Sequence, residues 1–451
     1  MASRATVGSK TMIPPTGSRK SSTYPWLVFA LTFALLLSDY MSRQVLNAVF
    51  PLLKSEWALS DSRLASLSSV VALTVGLLTL PLSLVADRWG RVRSLVLMAV
   101  LWSMATLLCA VATGFHQMLG ARLLVGVGEA AYGSVGIALV LSVFAPRVHA
   151  ALSGAFMAGG SFGSVVGVAL GGLIAVHLSW RWAFAAMAVF GLVLVALFRA
   201  VVSERKLARH AVEQQQLAAG HPPVPNRFRA PISSLYTNPS VLCAYLGGGL
   251  QMFTAAVLLA WMPSYFNRYY DLPPDRAGAI AAIFVLLVGS GMVICGIITD
   301  RIGRADTSQK WTGAVVFCVI SLVCLSAGFR LEPGTPSLVL IGCGAFFAAG
   351  SSGPTAAMVA NLTHPSVRAS AMGSLTLANS LLGLALGPFV VGILADHLGL
   401  LGALQLAPLV YLAAVAALVL GKRLHPAGER RLAALTESTP STSSTNHQER
   451  T

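Results

Sequence analysis

Twelve apolar runs alternate along this chain with short polar connections. They lie at about 25–50, 64–86, 94–113, 117–143, 149–177 and 181–201, then at 240–266, 277–299, 311–329, 337–360, 367–395 and 400–421. A helix needs about 20 apolar residues to cross the hydrocarbon of a bilayer, and every run is of that order. The pattern therefore predicts an all-α integral membrane protein with twelve transmembrane helices. The intervals that break the rhythm divide the chain. Residues 1–23 are polar and expected to be a disordered N-terminus. The apolar run that follows is too long for a signal-peptide core and is expected to stay as helix 1. Residues 24–202 form one six-helix bundle and 240–421 a second. Between them, 203–239 holds Glu204, Arg205, Lys206, the run Gln214–Gln216 and Pro222, Pro223 and Pro225, and reads as a solvated linker. The tail at 422–451 is charged, then Ser/Thr-rich, and is expected to be disordered.

Composition agrees with this division. Of 451 residues, 55% are hydrophobic and only 10% charged, against roughly 25% charged in soluble domains. That is too few to cover a wetted surface, which disfavours a soluble enzyme and a nucleic-acid-binding module. The excess of 31 Lys and Arg over 16 Asp and Glu sits in the short connections. With both termini on the cytoplasmic side, 23 Lys and Arg fall there and six opposite (Lys54, Arg63, Arg181, Arg268, Arg276 and Arg330). The positive-inside rule then places both termini and the linker in the cytoplasm, for a multi-pass protein of the plasma membrane, the bacterial inner membrane being the expected one. All six cysteines fall within apolar runs without a CxxC spacing and read as small hydrophobes.

The two halves are copies. Gly76, Asp87, Arg88, Gly90 and Arg91 recur 213 residues later as Gly289, Asp300, Arg301, Gly303 and Arg304. Gly126-x-Gly128 recurs as Gly342-x-Gly344, and Pro146, Val148, Ala150 and Gly154 as Pro365, Val367, Ala369 and Gly373. Two six-helix repeats in the same orientation are the pattern of a rocking transporter.

At Asp87-Arg88-Trp89-Gly90-Arg91 and Asp300-Arg301-Ile302-Gly303-Arg304 the chain resembles the major facilitator superfamily, whose signature after helices 2 and 8 is G-x-x-x-D-R-x-G-R. The second copy is complete with Gly296; the first has Ser83 in the glycine position. Arg122-x-x-x-Gly126-x-Gly128 resembles the family's helix 4 motif. Leu59-Ser60-Asp61, Gly126-Val127-Gly128-Glu129-Ala130 and Trp180-Arg181-Trp182-Ala183-Phe184 resemble the spinster-like group and the organic-anion symporters. Those groups carry Asn-Tyr-x-Asp-Arg in helix 1. Here the stretch reads Asp39-Tyr40-Met41-Ser42-Arg43: the arginine stays, the usual acid is Ser42, and an acid stands at Asp39. The resemblance implies the major facilitator fold, a monomer, and a conformational latch at Asp87, Arg88, Gly90, Arg91 and their repeats Asp300, Arg301, Gly303 and Arg304.

An ionisable group in a membrane span costs about 2.5–3.5 kcal/mol at the helix centre. Four stand well inside the predicted spans: Asp39 and Arg43 in helix 1, Arg122 and Glu129 in helix 4. Spacings of four and seven put each pair on one helix face. The second repeat lacks them, with Leu338 and Ala345 opposite Arg122 and Glu129. Charge confined to one half suits a site more than a scaffold, although static ion pairs between helices remain the plainer reading. Glu129 is the first candidate proton carrier and Asp39 the second. Arg43 and Arg122 are candidates to hold an anion, since a guanidinium forks onto a planar carboxylate. Tyr40, Asn47, Tyr132, Gln251 and Asn379 are polar groups within spans and candidate substrate contacts. Gly159, Gly163, Gly167 and Gly171 give helix 5 a smooth packing face.

No Walker loop, nucleophile elbow or zinc-spaced set occurs in the sequence. No cofactor or metal is therefore expected, and a proton gradient is the expected energy source. These residues together predict proton-coupled symport of a small, anionic organic substrate, not an enzyme. The competing reading is proton-driven export of an amphipathic solute or lysolipid, with Met252, Phe253, Phe346 and Phe347 as a greasy surface.

Overall fold

The computed structural model describes residues 23–144, 148–204, 206–207, 234–303 and 306–437. Among them are eleven helical stretches long and apolar enough to cross a membrane. In order they are α1 (Thr23–Trp57), α2 (Asp61–Trp89), α3 (Arg91–Val111), α4 (Phe115–Val143), α5 (His149–His177), α6 (Trp180–Val201), α7 (Pro239–Tyr269), α8 (Pro274–Ile302), α9 (Gln309–Gly328), α10 (Thr335–Asn361) and a last stretch over Ser370–Ala434. Gly399 adopts φ 74° inside that last stretch. A left-handed residue cannot continue an α-helix, so the chain reverses there into α11 (368–398) and α12 (400–437). Twelve spans result, as the apolar rhythm predicts.

Side-chain caps start several spans. Ser60 accepts from the Arg63 amide, Ser179 from Trp182, and Asn238 from Ser240 ahead of Pro239. The glycine face of α5 packs on α1 as expected. A side chain at Gly163 would come within 2.5 Å of the Leu37 carbonyl, and one at Gly167 within 2.7 Å of the Met41 Cα.

The repeat is visible in the packing between halves. Gly76 on α2 sits against Ser380 on α11, and its copy Gly289 on α8 sits against Ser161 on α5. The glycine that recurs in sequence is thus the point where each half leans on the other. The departure from the signature at Ser83 has a local partner: its hydroxyl bonds Ser134 on α4 at 2.8 Å. In the second half Gly296 faces Gly353, where an added side chain would lie 3.2 Å from the Gly296 Cα.

Three expectations change. Spans α4 and α10 are not continuous: each breaks near its middle, at 130–131 and at 349–351. The freed carbonyls are satisfied by side chains. Thr79 donates to Ala130 at 2.7 Å, while Gln251 and Tyr411 both donate to Ala348. In α11 residues Asn379–Ala385 form a π-helix. Finally, the expected disordered tail starts too early, because α12 is helical to Glu437. Its extension is held by the Trp311 indole donating to His425 at 3.3 Å and by Arg431 donating to the Thr237 carbonyl. Short-range composition read 422–437 as polar, but Lys422, His425 and Arg431 find partners on the bundle.

Candidate functional site

Helix α1 begins on the face of the bundle that carries Arg88, Arg91, Arg301 and Lys422, here called the basic face. It ends at Lys54 on the opposite face. Midway along it, the Arg43 Nη2 donates to Glu129 Oε2 at 2.7 Å, across from α1 to the break in α4. The Glu129 side chain is fully buried and Arg43 keeps 19% exposure. The Asp39 carboxyl, 3% exposed, lies against that of Glu129. Asp39 Oδ1 and Glu129 Oε1 accept no hydrogen bond from the protein. Two buried carboxyls thus share this site with one guanidinium, which bonds Glu129. Tyr40 closes the other side. Its ring stands 5.2 Å from the Arg43 guanidinium and lies flat against Gly160 of α5.

Arg43 opens into a cavity of about 50 Å³ between the halves, room for a few waters. Gln44, Asn47 and Ser68 give it a polar wall, and Ala256, Leu259, Leu384 and Pro388 an apolar one. Ser68 donates to Asn47 Oδ1 at 2.8 Å and Asn47 donates to Gln44 at 2.6 Å, so the polar wall is held rigid. Asn47 also reaches the Leu259 carbonyl of α7 at 3.4 Å. Gln44 and Ser68 were not singled out in the sequence. Its position one helical turn before Asn47 was the only signal for Gln44, and Ser68 had none.

The structure parts the other candidates from this wall. Arg122 is completely buried and spends its donors on the carbonyls of Leu67, Ser42 and Arg43, at 3.2–3.4 Å. It clamps α1 and α2 to α4 and makes no ion pair with Glu129, so in this conformation it is no anion ligand. Tyr132 is equally buried, donates to the Thr32 carbonyl at 2.8 Å and packs edge-on against Trp102. Gln251 supports the break in α10, and Asn379 faces Gly248 on α7. Neither of these two lines the cavity. Phe347 packs on both Phe346 and Phe317, and neither Phe346 nor Phe347 lines the cavity.

The duplicated loops serve the helix ends. Gly90 adopts φ 99°, and the turn it makes lets the Glu204 carboxylate accept from the Val92 amide at 2.9 Å, capping α3. Arg91 donates to the Ala138 carbonyl at 3.2 Å. In the second copy Asp300 pairs with Lys310 at 3.1 Å, and Gly303 stands at φ −75°. Arg88 and Arg301 are exposed. Arg304 lies outside the described residues, as does the side chain of Asp87.

At the face opposite the basic one the halves are tied together. Arg268 of α7 forks onto both oxygens of Asp61 at 2.6 and 2.8 Å, with Lys54 adding a third bond at 2.7 Å. Asp396 of α11 accepts from the Asp61 and Ser62 amides, at 2.6 and 3.1 Å, and so caps α2 from the other half. The sequence offered Asp61 as part of a short resemblance only; no local signal linked it to residues more than 200 positions away.

The family model described as Major Facilitator Superfamily matches residues 32–381. The chain belongs to the Major Facilitator Superfamily. It is therefore a multi-pass membrane transporter and not an enzyme. It is 26% identical over 399 residues to a probable L-galactonate transporter of Escherichia coli (strain K12), covering 85% of this chain and 87% of that one. To protein spinster homolog 1 of Homo sapiens it is 26% identical over 396 residues, covering 82% and 73%. Among solved structures, a bacterial homolog of the human lysosomal transporter Spinster, inward-facing and occupied, superposes with TM-score 0.74 at 18% identity over 92% of this chain and 99% of that one. A D-xylose-proton symporter superposes with TM-score 0.66 at 17% identity, over 89% and 97%. These structures share the fold.

Proposed function

We propose that this transporter carries a small organic anion in symport with a proton, across the bacterial inner membrane, with its basic face in the cytoplasm. One observation carries the reading: Arg43 stands at the cavity wall, paired to a buried Glu129 that touches a second buried acid, Asp39. A proton taken up by the acid pair weakens its hold on Arg43. The guanidinium then turns its fork to a substrate carboxylate. Loss of the substrate returns Arg43 to Glu129 and expels the proton. Gln44, Asn47 and Ser68 offer hydrogen bonds to the rest of a polar solute. The galactonate transporters among the relatives support an anionic, hydroxylated cargo. The polar wall also favours such a cargo over a lysolipid, and Phe346 and Phe347, expected to greet a lipid tail, do not line the cavity.

The test is transport in proteoliposomes. Glu129→Gln is expected to abolish uptake driven by a pH gradient while leaving anion exchange measurable, and Asp39→Asn is expected to reduce the driven uptake. Gradient-driven accumulation by Glu129→Gln at the native rate would remove the coupling role. A native protein that moves lysolipids and no carboxylate would replace the cargo.

A further inference from the structure

Six cysteines had no task in the sequence reading beyond filling apolar space. Four agree: Cys109, Cys243, Cys295 and Cys318 are buried. The other two do not. Cys324 on α9 is half-buried, Cys343 on α10 is exposed, and their sulfurs are 3.6 Å apart on the outer surface of the second half. Among the described residues no other two cysteine sulfurs are recorded in contact.

The backbones approach closely at this level. A side chain at Gly344, next to Cys343, would lie 3.1 Å from the amide nitrogen of Leu325, next to Cys324. One turn on, a side chain at Gly328 would lie 3.0 Å from the Ile341 nitrogen. A disulfide requires Cα atoms about 4.4–6.8 Å apart and an S–S bond of about 2.05 Å. The glycines on both helices bring the backbones close enough to favour the first condition. The second asks the sulfurs to close by about 1.5 Å from their 3.6 Å separation, a shift of the size a change in χ1 produces.

We propose that Cys324 and Cys343 are a redox pair that closes into a disulfide stapling α9 to α10 on the lipid-facing surface. Both sulfurs lie below the helix ends. Cys324 precedes the end of α9 by four residues and Cys343 follows the start of α10 by eight, depths of about 6 and 12 Å at 1.5 Å per residue. A charged oxidant does not enter there, whereas a membrane-soluble quinone does. The two thiols lose two protons and two electrons to the quinone, which leaves as the hydroquinone; one S–S bond forms and two S–H bonds break. A dithiol reverses the step. Because α9 and α10 belong to one half, the staple leaves the rocking between halves free. Its effect falls on the stability of that half, by restricting the unfolded chain between the two cysteines.

The experiment uses the full-length protein in nanodiscs, treated with a fully ring-substituted quinone (tetramethyl-benzoquinone), which oxidises thiols without adding to them, or with dithiothreitol, then denatured, alkylated and weighed intact. The reduced protein is expected to take six alkyl groups and the oxidised protein four. The oxidised form is expected to melt a few degrees higher and to transport within twofold of the reduced form. Cys324→Ser is expected to keep five alkylatable thiols under oxidation, while Cys295→Ala still loses two. Six free thiols after quinone treatment, oxygen added to Cys343 alone, or a disulfide-linked dimer on a non-reducing gel would each overturn the pair.

Discussion

Replacing Arg268 by Gln tests what holds the structure closed at the face opposite the basic one. Arg268 is the partner that crosses between halves; Lys54, on the same half as Asp61, stays in place. Each charge-assisted hydrogen bond is worth about 1.5–3 kcal/mol. Asp61 is nearly enclosed at 4% side-chain exposure, but Arg268 keeps 23% and is partly screened. Lys54 and the Asp396 cap retain part of the closure. The net bias toward the closed conformer lost in Arg268→Gln is then about 2 kcal/mol, roughly a thirty-fold change in the equilibrium between conformers. Spin labels at the ends of α2 and α7 on that face read the populations directly by pulsed dipolar spectroscopy. A closed, single-distance population in the native protein is expected to give way to a mixture with a longer distance. Helix content and melting behaviour should be kept, since Asp61 still has Lys54. An unchanged distance distribution, with the variant folded, would refute the view that this pair biases the conformers. The cross-half cap provides a control. Asp396→Asn removes the negative charge at the α2 N-terminus but keeps an acceptor, so a shift of less than tenfold is expected.

Arg122→Met is expected to lower stability by about 3 kcal/mol, because three buried carbonyls lose their donor. A thermal melt well below the native one, with the KM for the anion little changed in the folded fraction, separates this clamp from a ligand; a KM effect alone without loss of stability would reverse the assignment. Gly160→Ala puts a methyl 2.9 Å from the Tyr40 ring. The ring must move toward Arg43 and narrow the cavity, so KM is expected to rise several-fold for the bulkier of two carboxylate substrates and less for the smaller. Equal effects on both would remove Gly160 as a determinant of cargo size.

The sequence by itself determined the class, the twelve spans, the two halves and the membership of the family. These follow from solvent physics. A backbone in hydrocarbon must bond to itself, so apolar length and the spacing of polar breaks suffice to count the helices. The duplicated loops added the repeat. It also determined where the costly charges lie, because Asp39, Arg43, Arg122 and Glu129 stand out against oil by composition alone. It did not determine how they pair. Reading each pair along its own helix linked Arg122 to Glu129; the fold instead crosses Arg43 to Glu129 and turns Arg122 onto backbone carbonyls. Helical spacing reports which residues share a face, but the neighbouring helix decides what that face meets. Asp61 and Arg268, 207 positions apart, are joined only because the second half is set against the first. The same reason hid Cys324 and Cys343, which no spacing rule joins and which meet where two helices cross at glycines. Hydrophobicity acts one residue at a time and is legible along the chain. Pairing energy depends on distances across it, and only the packed structure fixes those.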